Sequence, residues 1–323
     1  MVKRIRSFKN RDCFTHEWVL CTDMTYFDIL NYFVKNFCVA ISTNIDEVKQ
    51  GDRIAICDLN YNPRVLGEIK KEIKFGSKLM SDKCIDCVLR RCGQVRLYDF
   101  IPYCKCDGEQ FSSQSTKTAF SLDLNTECVS KLFEKYAAND VLCRKSSRWH
   151  KPGNKKDIVA IFQCPGFVEF LDDRPLAAAT GRNARNLFAQ LSWDYNDITI
   201  VNTTPIPHRS GVSVSKKEWS RYLVDLKNIV DNHTNVLCCG EVAFVAYSEL
   251  DLDKSYITIC HLGPVGIRKL SKGEKCEDLE RINHLANYIK SRIKDGTWLS
   301  NSWSDFTNYN HNPFHWKTGL AAT

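Results

Sequence analysis

The chain has 323 residues, 43% of them hydrophobic, which is a globular composition for one large domain or two. No apolar run reaches the length of a membrane-spanning helix, and no signal-type hydrophobic region follows the basic Met1-Val2-Lys3-Arg4, so a cytoplasmic protein without membrane contact is expected. Sixteen cysteines then read as reduced thiols or metal ligands, and a net charge of +7 suits a polyanionic partner without singling one out.

In chain order, Tyr26 to Lys35 is helix-like, and Phe37 to Ser42, Gly51 to Asp58 and Val65 to Ile69 read as short strands between turn residues. Such strands predict a small β-rich accessory domain over residues 1–150, arranged as a β-barrel. Within it Cys84, Cys87, Cys104 and Cys106 form a Cys-x-x-Cys and a Cys-x-Cys pair, enough thiolates for one tetrahedral zinc. Core thiols without metal remain the other reading. A basic, turn-rich stretch from Ser146 to Lys156 marks the domain boundary.

Beyond it, Val159-Ala160-Ile161-Phe162-Gln163-Cys164-Pro165-Gly166 is an apolar strand delivering its last residues to a Pro-Gly loop. A small-residue turn and a helix-period segment, Ala184 to Leu191, come next. Ile198 to Thr203 and Tyr256 to His261 are further strands that end on polar residues, and Asn235 to Ala243 is a strand stepping through Gly240 into a helix. The fold class is therefore α/β, with ligand groups gathered at the carboxyl edge of a parallel sheet. Residues 296–323 form an aromatic tail with Trp303, Phe306, Tyr309, Phe314, His315 and Trp316. Such a tail docks on its own domain or stacks on bases.

The series Pro165-Gly166, Glu169, Arg174-Pro175, Thr180-Gly181, Val201-Asn202, Pro205, Gly240 and His261 resembles the motif order of the uracil-DNA glycosylase superfamily, in its family-4-like branch, over about residues 155–295. In the first domain, Lys49 to Ile54 and Val65-Leu66-Gly67 resemble a PUA-like or EVE-like module, known in some cases to read modified or flipped bases. The main resemblance implies a three-layer α/β/α domain with a short parallel sheet. It also implies hydrolysis of the bond between a flipped base and its sugar by a monomer that acts on DNA and needs no cofactor for catalysis. The Cys84-Ile85-Asp86-Cys87 piece is similar to half of that branch's iron–sulfur site, but residues 205–210 hold no cysteine, so zinc is preferred to a cluster.

The resemblance gives His261 the role of stabilising the negative charge on the leaving pyrimidine, and Asn202 that of reading the base edge. Relatives place a carboxylate or Asn where this chain has Gln163 and Cys164. Glutamine can orient a water but cannot take its proton, so Glu169 becomes the first choice for holding water, with Asp172 and Asp173 next. Leu176 stands where the family has a stacking ring, and Phe167 is the substitute platform beside Cys164, Pro165 and Gly166. The lost ring and the small Ala177-Ala178-Ala179 predict room for a modified pyrimidine. Arg182, Arg209, Arg268 and Lys269 are the expected phosphate contacts, with Arg185, His208, Lys216, Lys217 and Lys272 near them. The alternative is a module of the same fold that binds modified bases without cutting. A two-metal nuclease is disfavoured, because no clustered carboxylates are present.

Overall fold

The computed structural model describes residues 2–10, 13–21, 38–42, 48–57, 63–73, 95–105, 146–208, 213–270 and 277–311. The chain divides into two compact units, Met1–Cys143 and Arg144–Thr323.

The first unit is built on one six-stranded sheet. Its strands are β1 (Val2–Asn10), β2 (Cys13–Cys21), β3 (Cys38–Ser42), β4 (Arg53–Cys57), β5 (Pro63–Ile73) and β6 (Val95–Lys105), in the order β1-β2-β4-β5-β6-β3. All neighbours are antiparallel except β2 and β4. Ile54, Ala55 and Ile56 are consecutive and fully buried, as a strand covered on both faces requires. The turn before β4 is closed by the Lys49 amide donating to Asp52 Oδ2 (3.1 Å) and by Gly51 at φ 91°. Among the described residues no pairing joins β1 to β3, the two edges of the sheet. The helix expected over residues 26–35 lies outside the described residues.

The second unit is mixed α/β around a five-stranded, mostly parallel sheet. It contains β7 (His150–Lys151), β8 (Ile158–Phe162), β9 (Thr199–Asn202), β10 (Asn235–Cys239) and β11 (Ser255–Ile259), ordered β11-β10-β8-β9-β7. Only β7 is antiparallel, paired with β9 at the edge. The helices are α1 (Phe167–Asp172), α2 (Ala179–Gln190), α3 (Lys216–Trp219), α4 (Leu223–Asp231), α5 (Glu241–Ser248), α6 (Pro264–Arg268), α7 (Asp278–Ser291) and α8 (Trp303–His311), with a hairpin β12 (Ile293–Lys294) and β13 (Thr297–Trp298) before the last.

Alternate strand residues point to opposite faces, and both sets are buried here. Ala160, Phe162, Ile200, Leu237, Cys239 and Ile257 share one core with Leu187 and Phe188 of α2 and Ile282 and Leu285 of α7. Val159, Ile161, Val201, Val236 and Cys238, from the other set, are equally buried. From β8 the chain moves to β9 on one side, then passes back to β10 and β11 on the other. The connections therefore diverge at the carboxyl ends of β8 and β10 and leave a crevice there.

One sequence boundary shifts. The stretch from 146 to 156 is not a plain linker: Arg148 and Trp149 are buried, and β7 extends the sheet. Residues 296–311 dock on their own unit, the first of the two readings of the aromatic tail. Trp298 and Phe306 belong to the core, and the Trp298 ring stacks on Trp193 at 5.5 Å. Phe314, His315 and Trp316 lie outside the described residues.

Candidate active site at the carboxyl edge of the sheet

His261 follows β11 by two residues and is held by glycines. Gly240, at φ 110°, ends β10 by donating its N–H to the Ile259 carbonyl (2.8 Å), and a Cβ there would lie 3.3 Å from His261 Cβ. A Cβ on Gly266 would fall 1.9 Å from the His261 carbonyl oxygen. The Gly263 amide donates to His261 Nδ1 (3.0 Å). Because Nδ1 accepts, the ring's hydrogen sits on Nε2. Burial lowers the imidazole pKa from its ordinary value, which keeps the ring neutral. The outcome is an uncharged N–H donor at the strand end, suited to an oxygen that gains charge during reaction. The start of α2 lies against the same loop: Asn183 Nδ2 donates to the Leu262 carbonyl (2.8 Å), and Thr180 Oγ1 is 3.4 Å from where a Gly263 Cβ would be.

The first motif departs from expectation. Glu169 is 7% exposed, and its Oε2 accepts the Gly166 amide (3.1 Å), closing the first turn of α1. The carboxylate chosen to hold water thus caps a helix. Gly166 fits the cap because a Cβ there would stand 2.8 Å from that same oxygen. Leu176 is also placed otherwise. At φ 55° the chain turns its side chain into the core, where it is 5% exposed, so it is no pocket wall. Its carbonyl oxygen sits where a Cβ on Gly181 would be, at 1.6 Å, which fixes glycine in the first turn of α2. Gln163 and Phe167 are half-buried beside Pro165. The Gln163 carbonyl accepts Thr203 Oγ1 (2.6 Å), which locks the ends of β8 and β9 together. Burial, and after it the Glu218 and Glu169 carboxylates, push the Cys164 thiol up, so it stays protonated at neutral pH. Asp172 pairs with Arg174 (3.0 Å) and Asp173 with Arg148 (3.4 Å).

Asn202 is the last residue of β9 and 4% exposed. Its Nδ2 donates to the Arg148 carbonyl (2.9 Å), its amide N–H to the Trp149 carbonyl (2.9 Å), and its own carbonyl accepts Trp149 Nε1 (2.8 Å). One of the two Nδ2 hydrogens is therefore committed to the chain. The side chain also carries an oxygen and a second hydrogen.

Sequence reasoning missed a polar cluster next to the first motif. The His208 amide donates to the Pro165 carbonyl (3.0 Å), and its Nε2 meets Glu218 Oε1 at 2.5 Å. Thr204 Oγ1 donates to the same oxygen (3.5 Å). His208 figured only as a flanking basic residue, and Glu218, within the Lys216-Lys217-Glu218-Trp219 run, carries no motif signal. Arg148 roofs this corner, with Nε donating to the Pro205 carbonyl (3.4 Å) and the guanidinium 5.0 Å from the Phe170 ring centre.

Arg182, Arg268 and Lys269 are exposed, on α2 and at the end of α6, flanking the His261 loop. Arg209, Cys84, Cys87 and Cys106 lie outside the described residues. Cys104 lies in β6 opposite Leu66. Among the described residues no three metal-ligating side chains cluster, and no helix is long and apolar enough to cross a membrane. Comparison with protein-family models and with curated proteins finds no match.

Proposed function

We propose that the second unit is a monofunctional DNA glycosylase of the three-layer uracil-DNA glycosylase type, which hydrolyses the N-glycosidic bond of a flipped, modified pyrimidine and leaves an abasic site. The observation that carries this reading is His261: a neutral imidazole with Nδ1 filled by the Gly263 amide and Nε2–H left to donate. Departure of a pyrimidine puts negative charge on a carbonyl oxygen, and a preorganised donor there typically supplies several kcal/mol. Asn202 ends β9 and His261 follows the end of β11, on strands three spacings or about 14 Å apart.

The Leu176 side chain is turned into the core and the small Ala177 to Ala179 follow it, which favours room for a base with a C5 substituent. Exposed Arg182, Arg268 and Lys269 supply phosphate contacts that do not depend on sequence. Removal of such bases serves DNA repair or defence against phage with modified DNA. The capping role of Glu169 favours a second reading, in which the unit binds modified bases without cutting them.

The deciding experiment is single-turnover base release from duplexes carrying uracil or C5-substituted pyrimidines. Faster release of the C5-substituted base, and at least a tenfold loss in His261→Ala with DNA binding retained, are expected. Binding without abasic sites on any duplex overturns the enzyme in favour of the binding module.

A further inference from the structure

The geometry points to His208, held by Glu218, as the group that takes the proton from the attacking water at the first-motif side of the site. This rests on the glycosylase reading above and fills the role that the first motif leaves open. Gln163 has no basicity to offer. One oxygen of Glu169 is taken by the Gly166 amide, and Cys164 is held as a thiol by its burial and by the carboxylates near it. His208 lies at the same place, where the loop after β9 crosses the first motif and donates to the Pro165 carbonyl.

Its ring is arranged as a base. Nε2 and Glu218 Oε1 are 2.5 Å apart, and the two side chains are only 10% and 17% exposed. A carboxylate only accepts, so Nε2 carries a hydrogen, and in the neutral ring Nδ1 is then the basic nitrogen. Glu218 then orients the ring and stabilises the imidazolium that forms, as the third member of a catalytic triad does for its histidine. Thr204 Oγ1 on the same oxygen steadies the carboxylate. The titratable and charged groups converging here are Cys164, Glu169 of α1, Glu218 of α3 and, through the Pro205 carbonyl, Arg148.

In the step itself, water gives a proton to His208 Nδ1 while its oxygen bonds to C1′ of the sugar. The bond from C1′ to the base nitrogen breaks, and its electron pair leaves with the pyrimidine, whose oxygen is held by His261 Nε2–H. The proton on His208 passes to solvent or to the departed base, which restores the enzyme.

Two variants separate this from a purely structural ion pair. His208→Gln keeps an N–H for Glu218 but cannot accept a proton, and Glu218→Gln keeps the size while losing the charge. Base release is followed from pH 5 to 9 on the duplex that the wild type cuts fastest, with thermal melting alongside. In His208→Gln we expect at least a tenfold slower release at every pH. In Glu218→Gln release should also slow by at least tenfold, since a neutral amide cannot stabilise the imidazolium formed in the step. If His208→Gln melts early, the loss in Glu218→Gln decides. Wild-type rates in the two variants overturn the role of His208, while a loss in His261→Ala alone leaves the glycosylase reading standing. A wild type that releases no base from any duplex overturns both.

Discussion

Replacing Gly263 by alanine perturbs the His261 ring without touching the imidazole itself. Gly263 sits at φ −67°, so alanine adds no backbone strain, and the amide that donates to Nδ1 is retained. The new Cβ would lie 2.8 Å from Nδ1 and 2.9 Å from Cε1, whereas ordinary contact begins near 3.4 Å. The ring must therefore retreat by about 0.6 Å. A misplacement of about 1 Å costs on the order of 10²-fold in rate, so roughly tenfold is expected here. The clash meets the far end of a side chain, so stability should fall by less than about 1 kcal/mol. Single-turnover base release with a melting curve measures both quantities. The double variant with His261→Ala should be no slower than His261→Ala alone, because both act through one donor. Wild-type release by Gly263→Ala would refute the claim that this ring position matters.

Trp149→Phe removes the indole N–H that Asn202's carbonyl accepts, and about 1 kcal/mol, or roughly 2–4 °C in melting temperature, should be lost; unchanged melting contradicts this. Gly181→Ala drives a Cβ to 1.6 Å from the Leu176 carbonyl oxygen, a backbone atom that cannot swing aside, and should cost at least about 2 kcal/mol in urea unfolding. Burial lowers the pKa of His150, His233 and His261 from 6.5. Well above pH 6.5 all three are neutral folded or unfolded, and the full stability is present. As pH falls below that value the unfolded chain binds protons that the folded unit resists, so stability declines until the folded-state values are reached. Urea midpoints should fall between pH 7.5 and 5.5, less so in His233→Gln; equal midpoints argue against it. If Cys84, Cys87, Cys104 and Cys106 hold zinc, metal analysis should return about one equivalent.

What was legible in the sequence is what apolar patterning controls. The cores of β8 and β10 are continuous hydrophobic runs, and each ends at a polar or glycine residue where the structure puts the strand end, whereas β11 is interrupted by Thr258 and stops at Ile259, two residues before His261. In β1 the alternation is obscured by Lys3, Arg4 and Arg6, and that strand went unread. Site residues were harder because identity does not fix direction. Leu176 occupies a motif position, yet a positive φ turns it inward, and no pattern announces that. Glu169 has a local partner three residues away, and a capping bond to one of its oxygens ties it to the start of its own helix. Glu218 reaches the site only because α3 follows the loop that carries His208, a proximity invisible in one dimension.

The segment from Ser146 to Lys151 has a practical consequence for anyone dividing this chain. Composition invites a cut at Lys156, yet a fragment begun there would lose the edge strand beside β9, the Trp149 ring against Tyr222 and all three hydrogen bonds that hold Asn202. It would keep every residue of the motif series and still lack the support of Asn202. A piece begun at Arg144 retains them, so the two fragments, identical in motifs, should differ in whether the second unit stands alone.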